Sequence, residues 1–574
     1  MDKIHLDEEK ISIYAKIQNI LCDLEPNSPD ESIDNVINQV PPEFLNQKDD
    51  LMVICQLIAY YSRTQNSLKK VNAIKLIERI MDSLKTILKD ESTFFWEIFG
   101  SHYYFKYWMY EEGLIKIEQI ILAAEGDETG MIIEYFLPEI IKEKRELFEK
   151  ELKFKYKKGI SQESISEFKE IRSKYIKWLR ESGDYNDPFY EEIEKNRLRL
   201  SIKRDDIDTF QKILSELNIS IDSTIMESSI ENFLRRPEKL TFLEFAIEFE
   251  SIKIAKFLIM NDAKFNENMI YFAIQRNNYE LIHILESKFA EKFKNEALQD
   301  SIAVWNHEVA EYALNNFEYN FLQEKNIECN NDLSILLINQ TFASLNFMFL
   351  ESVIIPFLKN NSNLVEKRFY EIALSTFSEL SCFFVKPFLN FPGIDINCQI
   401  ANMQITFLYK ALNSANVKGV ELLVNHPDFD VNGAAYLDLL PIQIACKMFS
   451  DIKIIKMLCN HPKIDINRRD SRYHTNALQI STCGGHFYAA EYIIYHFSDM
   501  EKNNDFYLLF YLCLTFRHLY SLKIILKYYL DKHNNLDGEQ LIQNLHEHYL
   551  LQPDYSKEFE NELRQIIFEI TMVL

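Results

Sequence analysis

The 574-residue chain carries 87 acidic against 63 basic side chains, a net charge of −24, and a surface of that sign repels phosphate backbones, so a nucleic-acid partner is not expected. Hydrophobic residues make up 47%, ample for a core, while 12 glycines and 14 prolines are too few for the hairpins of a turn-rich all-β protein, so an all-α fold is expected. Nine cysteines scattered singly, without a CxxC pair, suit a reducing compartment; no leader-like start and no uncharged run near the ~20 residues of a membrane helix point to an intracellular, cytoplasmic protein without membrane insertion.

The first 190 residues read as a helical N-terminal domain with no internal period: YAKIQNILCDL, DLMVICQLIAYYS, VNAIKLIERIMDSLKTIL, the aromatic block FFWEIFGSHYYFKYWMY at 94–110, and LIKIEQIILAAE. Bulky residues at helical spacing make the aromatic block core rather than a ligand pocket around His102. After GDETG at 126–130, two charged helices run to Glu181, broken near Gly159. Between them KFKYKKG at 153–159 has the composition of a nucleic-acid patch, yet Glu146, Glu149 and Glu151 precede it and Glu163 and Glu167 follow, which makes it a solvated helix face. SGDYNDP at 182–188 has the turn residues of a linker.

Beyond it the chain repeats itself. NHPDFDVN at 425–432 returns as NHPKIDIN at 460–467, with a weaker copy NFPGIDIN at 390–397, so Asn397, Asn432 and Asn467 recur every 35 residues. Four segments align around this period: 241–266, 406–432, 440–467 and 476–497. Each opens with Leu or Ile at its third position and a small residue at its sixth (Ala246, Ala411, Ala445, Ser481), where close helix packing needs little bulk. After a polar break, apolar residues return at helical spacing, as in Ile452, Ile455 and Leu458, so each unit is a short helix, a turn and a second helix. Asn425 and Asn460 then fall where a helix C-terminus commonly turns left-handed, and Pro427 and Pro462 forbid further helix. Phe429 and Val431, like Ile464 and Ile466, alternate toward the stack, and the closing Asn is placed to bond the backbone of a following turn.

A helix–turn–helix unit of this length, opening TFLEFA, TFLYKA, LPIQIA or NALQIS, with CGGHFYAAEYII leading into a second helix and DVN or DIN at its end, resembles the ankyrin repeat. Weaker copies at 198–222, 269–287, 298–317 and 369–397, and an apolar last member at 506–531, extend the degenerate array over 195–531, with 532–574 as a C-terminal helical cap. A helical region ahead of divergent repeats is similar to a large group of protist ankyrin-repeat proteins. The resemblance implies an ankyrin-like solenoid that is not an enzyme: a protein–protein interaction scaffold, expected as a monomer, holding protein partners on its projecting turns and concave helix faces.

No GxxxxGK[ST], GxGxxG or HExxH occurs, and the histidines of HEH at 546–548 lie about 200° apart on a helix, so neither a phosphate cradle nor a shared metal is indicated. Cys459 with His461 and Cys483 with His486 could be drawn as a zinc site, but the repeat register gives each a structural place, and no cofactor is expected. The recurring His426 and His461 belong to a shared turn. In the aligned copies RRDSRYHT at 468–475 is a projecting turn, and its Arg468, Arg469, Arg472, Tyr473 and His474 concentrate hot-spot residue types in an acidic protein. These five are the candidate partner-binding residues. Two other readings stand beside the scaffold: an adaptor subunit of a larger complex such as a ubiquitin ligase, docking through the N-terminal helices or 541–570, and an enzyme with its site within the N-terminal helices.

Overall fold

A computed structural model describes residues 6–532 except 26–27, 65–66, 101, 128–129, 149–161, 226–238, 318–332, 361–367, 378, 401–404, 449–450, 472–473, 498–505 and 517. The basic stretch 153–159, Arg472, Tyr473, the histidines of 546–548 and nearly all of the expected cap at 532–574 therefore lie outside the described residues. What is described is overwhelmingly helical, with one two-residue antiparallel ribbon, β1 (Thr224–Ile225) against β2 (Leu240–Thr241).

The chain opens with α1 (Glu8–Asp23), α2 (Asp30–Asn38), α3 (Lys48–Thr64), α4 (Ser67–Ile87), α5 (Ser92–Ile98) and α6 (Tyr103–Glu111), then α7 (Ile117–Gly126), α8 (Met131–Leu147) and α9 (Gln162–Glu181). From here the described helices come in pairs. The first three pairs are α10 (Arg197–Lys203) with α11 (Ile207–Leu217), α12 (Phe242–Glu248) with α13 (Ile252–Met260), and α14 (Met269–Gln275) with α15 (Tyr279–Lys288). The fourth is α16 (Ala290–Val304) with α17 (His307–Asn316). In the fifth, α18 (Leu333–Ser344) is followed by a helix in three parts, α19 (Phe347–Phe349), a π turn (Leu350–Ile354) and α20 (Ile355–Asn360). The sixth is α21 (Phe369–Thr376) with the five-residue α22 (Val385–Leu389). Then follow α23 (Phe407–Asn413) with α24 (Val417–Val424), α25 (Pro441–Lys447) with α26 (Ile452–Cys459), α27 (Ala477–Gly484) with α28 (Phe487–His496), and α29 (Phe506–Thr515) with α30 (Leu519–Lys532).

One turn joins the two helices of most pairs. The residue before the second helix's N-cap is left-handed at Asp205, Glu250, Asn277, Trp305, Leu345, Ala415 and Gly485 (φ from 49° to 80°). The next N–H then reaches back five residues to a carbonyl: Asp206 to Ser201 at 2.8 Å, Ser251 to Ala246 at 2.8 Å, Asn278 to Ala273 at 3.0 Å, Asn306 to Ser301 at 2.9 Å, Asn346 to Thr341 at 3.0 Å, Asn416 to Ala411 at 2.8 Å and His486 to Ser481 at 2.9 Å. This bond closes the first helix as a Schellman motif, and its acceptor is in every case small and buried; in three of the seven it is the aligned sixth residue, Ala246, Ala411 or Ser481. The same turn then starts the second helix, because the Asp206, Asn278, Asn306, Asn346 and Asn416 side chains each accept from a backbone N–H three residues on. Asn425 and Asn460 correct the expectation drawn from the octapeptide: they are C-caps, but right-handed, with φ −83° and −86°. Left-handed backbone falls inside most pairs, where the six-to-one bond is made; after a pair it occurs at Asn218, Asp262 and Gly393 but not at Asn425 or Asn460.

The described residues form two compact units, 1–115 with 161–394 and 116–160 with 395–574. In the first, α10, α12, α14, α16, α18 and α21 each pack on the next in the series. The helix α1 lies against α19: Tyr14 packs its ring 4.9 Å from Phe347, and Gln18 Oε1 accepts from Met348 N at 3.0 Å. Tyr14 also donates to buried Asp50 (2.7 Å), whose other partner is Lys10. Tyr60 donates to the Ala303 carbonyl and stacks on Trp305 at 5.0 Å. The stretch 182–188, expected as a linker, is packed: Trp178 donates to the Asp184 carbonyl at 3.0 Å, Arg204 Nε to that of Tyr185 at 2.7 Å, and Tyr185 and Tyr190 close around buried Lys203. No helix among the described residues is long and apolar enough to cross a membrane.

In the second unit both helix series are continuous: α23, α25, α27 and α29 pack in succession, as do α24, α26, α28 and α30. Leu408, Val420, Leu423, Ile444, Ile455, Leu458, Leu478 and Ile493 are fully buried between them, each such side chain contributing about 1.5–3 kcal/mol. Two of the three closing asparagines bond the next copy. Asn397 donates to the Asp428 carbonyl (2.7 Å) and accepts from Asp430 N (2.9 Å); Asn432 does the same with Lys463 (2.6 Å) and Asp465 (2.9 Å). Within each copy the Asp two residues earlier accepts from that Asn's own N–H, which holds the side chain in place.

Candidate functional site

Two regions carry exposed or unpaired chemistry. The first is the turn at 468–475 in the second unit. Asp470, 1% exposed, accepts from Thr475 N (3.0 Å) and Thr475 Oγ1 (2.7 Å), while its own N–H donates to the Thr475 carbonyl (3.0 Å). That carbonyl also accepts from Gln443 Nε2 of α25 at 2.6 Å, so the base of the turn is clasped to the preceding pair. On this base Arg468 is exposed, and Arg469 Nη1 donates to the carbonyl of exposed, left-handed His474 at 2.8 Å. Of the five candidate residues, Arg468, Arg469 and His474 are thus brought onto one turn; Arg472 and Tyr473 belong to the same segment but lie outside the described residues. The equivalent turn one copy earlier is a tight hairpin tip. Tyr436 bridges Leu439, with Leu437 (φ 45°) and Asp438 (φ 65°) both left-handed, and Tyr436 stacks on Tyr409 at 4.2 Å. Leu437 is exposed there.

The second region was not visible in the sequence. In the first unit a cavity of about 750 Å³ lies between α1, α17 and the π turn. Ala310 and Phe349 form buried parts of its lining, Ile20, Leu314, Met348 and Val353 are half-buried, and Lys16, Glu311 and Glu351 stand exposed around it. The π turn inserts a residue into the helix, so that Glu351, Ser352 and Val353 line the cavity in succession. His307, the first residue of α17, also lines it; its Nε2 is buried without a hydrogen-bond partner, and burial lowers the imidazole pKa to about 4, which leaves it neutral at pH 7. Among the described residues Lys16, Glu311 and Glu351 make no ion pair or side-chain hydrogen bond.

The other groups weighed in the sequence have structural places. His102 is buried in the aromatic block, where Phe99 stacks on Phe105 at 5.0 Å and Lys106 sits 3.9 Å over the Trp96 ring. Burial holds His102 well below the ordinary imidazole range and lowers Lys106 to about 8. Cys459 ends α26 with its thiol raised by burial to about 12, and Cys483 is raised by burial to about 11. His426 and His461 each accept through Nδ1 from the N–H two residues on, at 3.2 and 3.3 Å, so their recurrence marks a shared turn. No group of three or more His, Cys, Asp or Glu among the described residues is placed to hold a metal ion.

No model of a known protein family matches the chain, and no curated protein matches it.

Proposed function

We propose that the protein is a non-catalytic interaction scaffold, a degenerate ankyrin-like array that holds protein partners inside the cell on its projecting turns and concave helix faces. The observation that carries this reading is the turn at 468–475: its base is fixed by Asp470, Thr475 and Gln443, so that exposed Arg468 and His474 are presented on backbone already ordered. The inter-copy Asn bonds and the recurring left-handed turn support the array, since each is a device that repeats one geometry from copy to copy. Arg468, Arg469, Arg472, Tyr473 and His474 form the contact surface, suited to an acidic partner.

The test is charge reversal of Arg468, Arg469 and Arg472 together, in the full chain purified from its own cells. A partner recovered with the unaltered protein is lost or strongly reduced, while the melting temperature is unchanged. Equal recovery with the altered chain removes these residues from the interface.

A further inference from the structure

The cavity of the first unit has the anatomy of a helix-binding groove. On α17 the residues that line it are His307, Ala310, Glu311 and Leu314, an i, i+3, i+4, i+7 stripe. With Asn315 it runs about 12 Å along the helix axis, two turns. The stripe is mixed, apolar at Ala310 and Leu314 and polar at His307 and Glu311, and it borders the buried face of the helix formed by Val309, Ala310 and Ala313. The buried part of the lining, Ala15, Ala310 and Phe349, is apolar, and the exposed part carries the charges of Lys16, Glu311 and Glu351. An apolar floor under a charged rim is the usual anatomy of an interface that seats an amphipathic helix.

The rim also specifies the occupant. Two acidic groups, Glu311 on α17 and Glu351 on the π turn, stand against one basic group, Lys16 on α1, and none of the three is paired within the described residues. We propose that this groove takes a two-turn stretch of one amphipathic helix from a partner protein. Its apolar side chains at i, i+3 or i+4, and i+7 lie on Ala310, Leu314 and Phe349; a basic residue faces Glu311 and Glu351, and an acidic residue faces Lys16. A neutral small molecule fits the volume but leaves the three rim charges unmatched. The site shares no residue with the turn at 468–475 and stands or falls separately from it.

The experiment uses the full chain and a displayed library of single amphipathic helices with randomised apolar and flanking positions. Enriched helices carry apolar residues at that spacing and a Lys or Arg on one flank. Ala310→Arg, which fills the floor, weakens them by about thirtyfold or more, the loss expected on blocking an anchor pocket. Because Ala310 is buried, Leu314→Glu on the half-exposed wall is the second variant; it gives a similar loss with an unchanged melting temperature. Glu311→Lys combined with Glu351→Lys switches the enriched flank from basic to acidic. No enrichment, enrichment of non-helical sequences, or binding unaffected by Leu314→Glu overturns the proposal.

Discussion

Asn432→Ala tests whether the octapeptide repeats in order to tie one copy to the next. The change removes two hydrogen bonds, Asn432 Nδ2 to the Lys463 carbonyl at 2.6 Å and Asp465 N to Asn432 Oδ1 at 2.9 Å. Each is worth about 0.5–1.5 kcal/mol net, and since both lie at the surface, where water replaces them, a total of about 1–2 kcal/mol is expected. For a folded unit of this size that corresponds to a fall in melting temperature of roughly 2–8 °C. Asn432→Asp is the discriminating partner. It keeps an acceptor for Asp465 N, loses the donor to Lys463, and sets a carboxylate between Asp430 and Asp465, so it is at least as destabilising as alanine. Urea titration followed by circular dichroism at pH 7 reads both. If Asn432→Ala stays within about 0.3 kcal/mol of the unaltered chain, or Asn432→Asp is the more stable of the two, the side chain does not hold the copies together.

Ala415 sits at φ 49° in the turn of its pair, so Ala415→Gly relieves left-handed strain and raises stability by about 0.5–1 kcal/mol in the same titration. Arg276 pairs with Glu248 at 2.7 Å with both side chains under 10% exposed; Arg276→Met strands the carboxylate and loses about 3–5 kcal/mol, most of which returns when Glu248→Leu is added. His307 titrates near 4 in the folded chain and near 6.5 unfolded, so the unfolded state binds the extra proton. Stability therefore falls as pH drops from about 6.5 to 4, and His307→Gln flattens that part of a plot of urea midpoint against pH.

The helix pairs were legible because their signals are local: a small sixth position, a polar break and an apolar stripe are all written within one copy. Thr241, Thr406 and Asn476, the first residues of three aligned openings, cap their helices, a role not drawn from the sequence, and at 440 Gln443 supplies the reciprocal half of the box that Leu440 cannot. The left-handed turn was misplaced because the sequence offers no glycine for it except at Gly485; Asp, Glu, Asn, Trp, Leu and Ala accept the strain elsewhere, held by the six-to-one bond. The groove at His307 could not be read at all. It depends on how α1 comes to lie near α17 and on a π turn in which Leu350–Ile354 looks like ordinary helix. Nor could the linker-like 182–188 be told from a packed turn, since its Tyr185 finds partners more than fifteen residues away in Lys203, Arg204 and Phe249.

Each asparagine bracket reaches only the adjacent copy, so a mechanical load applied along this part of the chain meets the brackets one at a time. Pulled between Asn397 and Asn467, the molecule yields in steps of one copy, each releasing at most about 120 Å of slack as 35 residues straighten. The repeat length read from three asparagines thus also sets the largest extension that the release of one bracket allows.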